Sequence, residues 1–217
     1  MIDLHTHSLF SDGVLIPAEL IRRARAKGYV ALGITDHVDH SNFDFIIPRV
    51  MKACALYSGT HGLTVIPGVE ITHVPPGNIS DLVRESRRLG AKLIVVHGET
   101  LVEPVIPGTN LAALQADIDI LAHPGMITEE EVILAKARSI YLEISARSGH
   151  SLTNGHVAQL AHRLGAKMIM NTDAHGPEDL IDQEMAWKVG SGAGMTREEI
   201  ESAFAYSQQL VEICLRR

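Results

Sequence analysis

Short apolar runs alternate with longer segments of helical period along the whole chain. Seven runs have strand length, at residues 2–4, 30–35, 64–69, 92–96, 118–122, 140–144 and 167–170. Helical spacing fills the intervals. Pro17 opens a pattern with apolar Leu20, Ile21 and Ala24, and Gly28 is placed to end it. Proline at the first helical position and glycine past the last is the expected asymmetry of a helix. Similar patterns cover 48–58, 79–89, 129–137 and 153–164, with Gly62, Gly90 and Gly165 as stops. Thr196-Arg197-Glu198-Glu199 has the form of a capping box and predicts a last helix running towards Leu215.

Strands that alternate with helices imply parallel pairing through right-handed crossovers. Seven such units without a break predict a single α/β domain over residues 1–217, a distorted TIM-like (β/α)7 barrel. An open doubly wound sheet is the competing architecture, and the polar residues separate the two. An open sheet gathers its functional groups near one switch point. Here polar residues follow strand after strand around the chain, as they do on the C-terminal rim of a barrel. Loops around Pro75-Pro76-Gly77 and over 103–109 follow the third and fourth strands and are expected on that rim.

Composition narrows the class. The chain has 217 residues, 46% of them hydrophobic and 21% charged, enough for one domain with a substantial core. No apolar stretch approaches the ~20 residues needed to span a bilayer. A candidate ligand already at position 5 leaves no room for a secretory leader. The formal charge of −7 argues against broad nucleic-acid binding, although a local cationic site can hide inside an acidic protein. Two distant cysteines, Cys54 and Cys214, fit the reduced cytoplasm and exclude a disulfide or zinc-finger framework. With 12 histidines, imidazole is the one soft ligand in quantity.

The candidate chemistry sits at the strand ends. His5 and His7 are separated by one residue, a spacing that on an extended strand turns both rings to one face. Asp12 follows in the next loop. His37 ends the second run, Glu70 the third, His97 the fourth and His123 the fifth, and Asp173 and His175 end the seventh. Taken singly, several have ordinary readings: His123 before a proline as a plain strand-end residue, Asp36 as a turn cap outside the ligand set. Glu70 has a stronger claim, because a carboxylate after a buried strand needs a partner or a metal to offset desolvation. Six histidines and three carboxylates, each just downstream of a strand, are poorly explained by independent surface placement and read together as a metal centre.

Arg147, directly after the sixth run, is a candidate to grip phosphate oxygens with its planar fork, or else a rim arginine paired with a surface carboxylate. His150 and Ser148 share its loop as weaker candidates. His40, His61, His73, His156 and His162 have no comparable placement. Met168 and Met170 alternate in the last run and read as core.

The motifs Asp3-Leu4-His5-Thr6-His7-Ser8, Ser11-Asp12-Gly13, Ile34-Thr35-Asp36-His37, Gly68-Val69-Glu70, His97, Ala122-His123-Pro124 and Asn171-Thr172-Asp173-Ala174-His175 occur in this order over residues 2–175. In these the chain resembles the polymerase-and-histidinol-phosphatase (PHP) family of metal-dependent phosphoesterases. The resemblance implies a distorted barrel of seven strand–helix units holding two or three metal ions. Carried over residue by residue, it implies that His5, His7, Glu70 and Asp173 hold one ion. Glu70 bridges to a second ion held with His97 and His123, and Asp12, His37 and His175 hold the third. Every ligand position of the family is occupied here by a competent side chain.

The expected activity is therefore hydrolysis of a phosphoester, with Glu70, Asp173 and Arg147 as catalytic residues and a metal-bound hydroxide as nucleophile. Mixed nitrogen and oxygen ligands suit zinc, manganese or iron over magnesium or calcium. The chain has no basic tract and carries no polymerase module, which favours a small phosphomonoester, of which histidinol phosphate is one example. The rival readings are a phosphodiesterase or exonuclease acting on nucleotides or single-stranded nucleic acid, and a metal-binding, RNA-associated scaffold without turnover.

Overall fold

Parallel pairing begins at the first residues of the chain. The computed structural model describes residues 1–59 and 62–217, so His61 lies outside the described residues. Strand β1 (Ile2–Asp3) pairs with β2 (Ala31–Ile34) in the register Ile2 to Ala31. β2 pairs with β4 (Thr64–Ile71), and so does the short β3 (His37–Val38), which resumes the line of β2 after a break at Thr35-Asp36. β5 (Leu93–His97), β6 (Ile120–Ala122), β7 (Tyr141–Ser145) and β8 (Met168–Asn171) continue the parallel order.

The first and last strands meet to close the ring almost completely. The His7 N–H donates to the Ala174 carbonyl at 2.8 Å, and Thr6 and Ala174 form a parallel bridge. Side chains stitch the same seam: the Leu4 N–H donates to Asn171 Oδ1 at 2.9 Å, and the Thr172 hydroxyl donates to Asp3. The result is the expected TIM-like barrel of seven strand positions, with β2 and β3 sharing one.

Helices α1 (Pro17–Ala26), α2 (Phe43–Tyr57), α3 (Pro76–Arg88), α4 (Thr109–Gln115), α5 (Glu129–Arg138), α6 (Asn154–Leu164), α7 (Gln183–Gly192) and α8 (Arg197–Arg216) accompany the strands. Two boundaries depart from the sequence reading. Pro48 does not open α2 but sits inside it; starting at Phe43 lets the helix bury Ile46 and Ile47 along with Val50 and Cys54. α3 starts at Pro76, within the stretch expected to be a rim loop. α4 is short and α7 contains Gly190 and Gly192, which is why neither pattern stood out. The capping box at Thr196 is present, with Glu199 as its reciprocal partner.

The strand alternation divides the core into two. Val65, Ile94, Val96, Leu121, Leu142, Ile144, Met168 and Met170 face the surrounding helices. Leu4, Ile66, Leu93, Val95, Ile120, Tyr141 and Ile169 fill the barrel interior, where Leu210, Val211 and Cys214 of α8 join them. α8 packs on β8, β1 and β4 and so plugs the end at which the strands begin. Interior side chains above this plug are polar, and they form the site.

Candidate metal centre

Period-two alternation continues from the apolar interior into chemistry. In β4 the inward phase runs Ile66, Gly68, Glu70; in β5 it runs Leu93, Val95, His97; in β7, Tyr141, Glu143, Ser145; in β8, Ile169, Asn171. Each strand thus delivers a polar group at its C-terminal end, and these groups converge on the seam between β1 and β8.

The nine residues singled out from the sequence are all at this end of the barrel. His5 Nε2 lies 3.3 Å from Glu70 Oε2 and 3.6 Å from Asp173 Oδ1; His7 Nε2 lies 3.5 Å and 3.1 Å from the same two atoms. His123 Nε2 is 3.5 Å from Glu70 Oε1. Asp12 Oδ1 is 3.4 Å from His37 Nε2 and 3.2 Å from His175 Nε2. The His7 ring lies between those of His37 and His175, with centroids 4.1 Å from each, so His7 adjoins two of the three groups. His97 stands beside its expected partner His123, with ring centroids 4.4 Å apart, and it also adjoins His150 and meets Glu103 through Nε2 at 3.1 Å.

The loops hold these positions by close backbone approach. A Cβ at Gly13 would stand 2.4 Å from the His7 carbonyl oxygen, so only glycine lets the 8–13 loop fold back and present Asp12. Asp36 accepts from the backbone and hydroxyls of Ser8 and Ser11, which makes it the anchor of that loop, in keeping with its reading as a turn residue. His123 and Asp173 both have positive φ, at 28° and 53°, a strained conformation for residues with a side chain.

Glu143 was not singled out from the sequence. It is wholly buried, contacts His5 Nδ1 at 2.8 Å, accepts from Asn171 Nδ2 at 2.9 Å, and accepts from the His123 N–H at 3.2 Å. A carboxylate on the second nitrogen of an imidazole fixes the ring and turns its other nitrogen to the site. Its signal was available: it is the only charged residue in the apolar run 140–144. Glu103, His73 and His150 are likewise at the site although the expected ligand set omits them. Of the remaining histidines, His156 Nε2 donates to the Ile127 carbonyl at 2.7 Å, and His162 pairs with Glu199 on the surface.

Electrostatics follow from the crowding of unlike charges. Burial opposes a charge on His5, but Glu143, Glu70 and Asp173 outweigh it and hold the imidazole well above its usual range. His37 is raised to about 10 against its burial by Glu70 and Asp12. His7 is buried beside the His37 charge and falls to about 3. Burial would raise Glu70, yet His5 and His37 bring it well below the ordinary carboxylate range; Asp173 and Asp12 are lowered in the same way. Glu103 is lowered to about 2, first by its contact with His97.

The donor set fits metal ions. Among the described residues, His5 Nε2, both His7 ring nitrogens, both Glu70 oxygens, His123 Nδ1 and Asp173 Oδ1 are buried without a hydrogen-bond partner. Buried polar groups are normally satisfied, and several such atoms converging in one place is what an ion's ligands look like. Their ligating atoms form overlapping groups: His7, Asp12, His37 and His175; His5, His7 and Glu70; His5, His123 and Asp173. A cavity of about 430 Å³ opens above them, lined among others by Asp12, His37, His97, Arg147, Asp173 and His175.

The profile of the PHP domain matches residues 3–182. The uncharacterized protein MJ1295 of Methanocaldococcus jannaschii is 48% identical over 213 residues, 97% of this chain and 98% of that protein. A probable phosphatase of Thermoanaerobacter sp. (strain X514) is 26% identical over 226 residues, covering 91% of this chain and 88% of its own length. The histidinol phosphate phosphatase of Lactococcus lactis, crystallised with zinc, L-histidinol and phosphate, shares the fold with a TM-score of 0.62 at 16% identity, over 90% of this chain and 94% of that one. With the profile spanning most of the barrel and the motif residues gathered at its C-terminal rim, the chain belongs to the PHP family.

Proposed function

We propose that this chain is a metal-dependent phosphoesterase that hydrolyses a small phosphomonoester. The observation that carries the reading is the convergence of buried, mutually unsatisfied imidazoles and carboxylates beneath an open cavity. His5, His7, Glu70 and Asp173 would hold one ion, Glu70 with His97 and His123 a second, and Asp12, His37 and His175 a third, with zinc, manganese or iron suited to the mixed donors. Divalent ions so held supply a water acidified towards a pKa of ~7 and positive charge for the phosphate oxygens.

The chain's own residues set the geometry. Glu70 presents one oxygen to each side of the centre, towards His5 and His7 on one and His123 on the other. Glu143 and Asn171 lock the His5 ring. Arg147 stands at the cavity wall, where its guanidinium would hold the non-bridging oxygens of phosphate in line for attack by water. The cavity volume suits a metabolite, and the formal charge of −7 disfavours broad binding of a polynucleotide. No described helix is long and apolar enough to cross a membrane. Cys54 and Cys214 are free and buried, which supports residence in a reducing cytoplasm.

The test is direct. Protein from metal-replete expression is expected to carry more than one transition-metal ion per chain. It should hydrolyse phosphomonoesters in preference to bis-p-nitrophenyl phosphate or single-stranded DNA when supplied with manganese or zinc. Absence of bound transition metal would overturn the metal centre. Preference for the diester or for DNA would move the reading to a phosphodiesterase or exonuclease.

A further inference from the structure

Glu103 lies on the loop between β5 and α4 and belongs to none of the three ligand groups above. Its Oε2 is 3.1 Å from His97 Nε2 and 3.2 Å from His73 Nε2, and its Oε1 is 3.5 Å from His150 Nε2. Three imidazoles, carried by β5 and by the segments after β4 and β7, therefore turn the same ring nitrogen towards one carboxylate. Donor atoms bound to one tetrahedral ion at about 2.0–2.1 Å stand about 3.3–3.4 Å apart, close to these separations.

The second nitrogens are tied back. His97 Nδ1 lies 3.1 Å from the Gly98 carbonyl, and His150 Nδ1 is 2.7 Å from Thr100 Oγ1. An oxygen on the outer nitrogen is the arrangement that orients metal-binding histidines. His73 reaches its position with a left-handed backbone, φ 53°. Because its Nδ1 is committed, His97 has one nitrogen for one ion. Its contact with Glu103 therefore concerns the ion already assigned to His97 rather than an additional one.

We infer that Glu103 is a further ligand of the ion held by His97, closing that ion's outer side at the mouth of the cavity. The inference rests on the metal-centre reading above. His150 and His73 flank the carboxylate, and the loop that carries it is braced where Val102 packs against Gly149.

The experiment uses the full chain stripped of metal and titrated with Co²⁺, followed by equilibrium dialysis and by visible absorption. Glu103→Gln removes the ligand charge with little change of shape, Glu103→Asp keeps a carboxylate, and Glu130→Gln on exposed α5 controls for net charge. Glu103→Gln is expected to weaken one Co²⁺ at least tenfold and to shift the cobalt bands, with Glu103→Asp intermediate and Glu130→Gln like the parent. Far-UV circular dichroism of each apoprotein verifies folding. A Glu103→Gln titration that superimposes on the parent's overturns the inference. So does weaker binding with unchanged bands, which would make Glu103 a neighbouring charge. A parent that binds no Co²⁺ would instead refute the metal centre itself.

Discussion

Among the described residues the Arg147 guanidinium makes one hydrogen bond, Nη1 to the Asp173 carbonyl at 3.1 Å, while the Asp173 and Asp179 carboxylates stand at 3.7 Å and 3.8 Å, beyond hydrogen-bonding distance. The rest of the fork is therefore available at the cavity wall. If it grips phosphate, Arg147→Lys should keep the metal content and impair turnover, because a point charge cannot reproduce two parallel N–H donors. Loss of one charge-assisted contact costs about 1.5–3 kcal/mol, or roughly ten- to a hundredfold in kcat/KM. Inhibition by inorganic phosphate should weaken alongside. Steady-state kinetics with elemental analysis check it, and unchanged kinetics with unchanged phosphate inhibition would leave Arg147 as a rim residue. At this scale the sequence was informative where a residue type followed a strand. It was less informative where phase mattered: Glu143 is a lone charge inside an apolar run, but its place at the site depends on Tyr141 and Ser145 pointing inward with it. Glu103 and His73 depended on where two loops turn, which no periodicity encodes.

Elements follow the same division. Strand positions were legible because apolar runs of that length have few alternatives, and the barrel was legible because polar residues recur after each of them. The second end of α2 could be read but its start could not, since Pro48 carries the signal of a first turn while buried Ile46 and Ile47 precede it. α8 was announced by its capping box, but its role as the plug of the barrel depends on which face meets β1, β4 and β8. That role gives a test. Leu210 is 1% exposed among the interior residues Leu4, Ile66 and Ile169, so Leu210→Ala removes packing that no solvent-facing helix would have. It should destabilise the fold by about 2–5 kcal/mol in urea unfolding while leaving metal stoichiometry intact, because the plug and the site lie at opposite ends of the barrel. A cost below about 0.5 kcal/mol, the range of ordinary surface substitutions, would contradict the packing described.

For the molecule as a whole, the barrel concentrates its polar interior at the rim where the segments after its first and last strands meet. The segment after β1 supplies His5 and His7 and the segment after β8 supplies Asp173 and His175, so ions held there would tie the first strand to the last across a seam that has few backbone hydrogen bonds of its own. The unfolded chain offers no such preformed site, so binding to the native state alone adds stability by mass action, about 2.7 kcal/mol when free metal stands at a hundred times its dissociation constant. For a chain of this length each kcal/mol moves the midpoint by about 2–4 °C, which gives an expected fall of about 5–11 °C on chelation. Thermal unfolding followed before chelation, after it, and after return of manganese or zinc measures this. The recovery arm separates loss of ligand from irreversible damage. A midpoint that stays fixed although elemental analysis shows the ions gone would mean that the seam is held by Asp3, Thr172, Asn171 and the Thr6–Ala174 bridge alone.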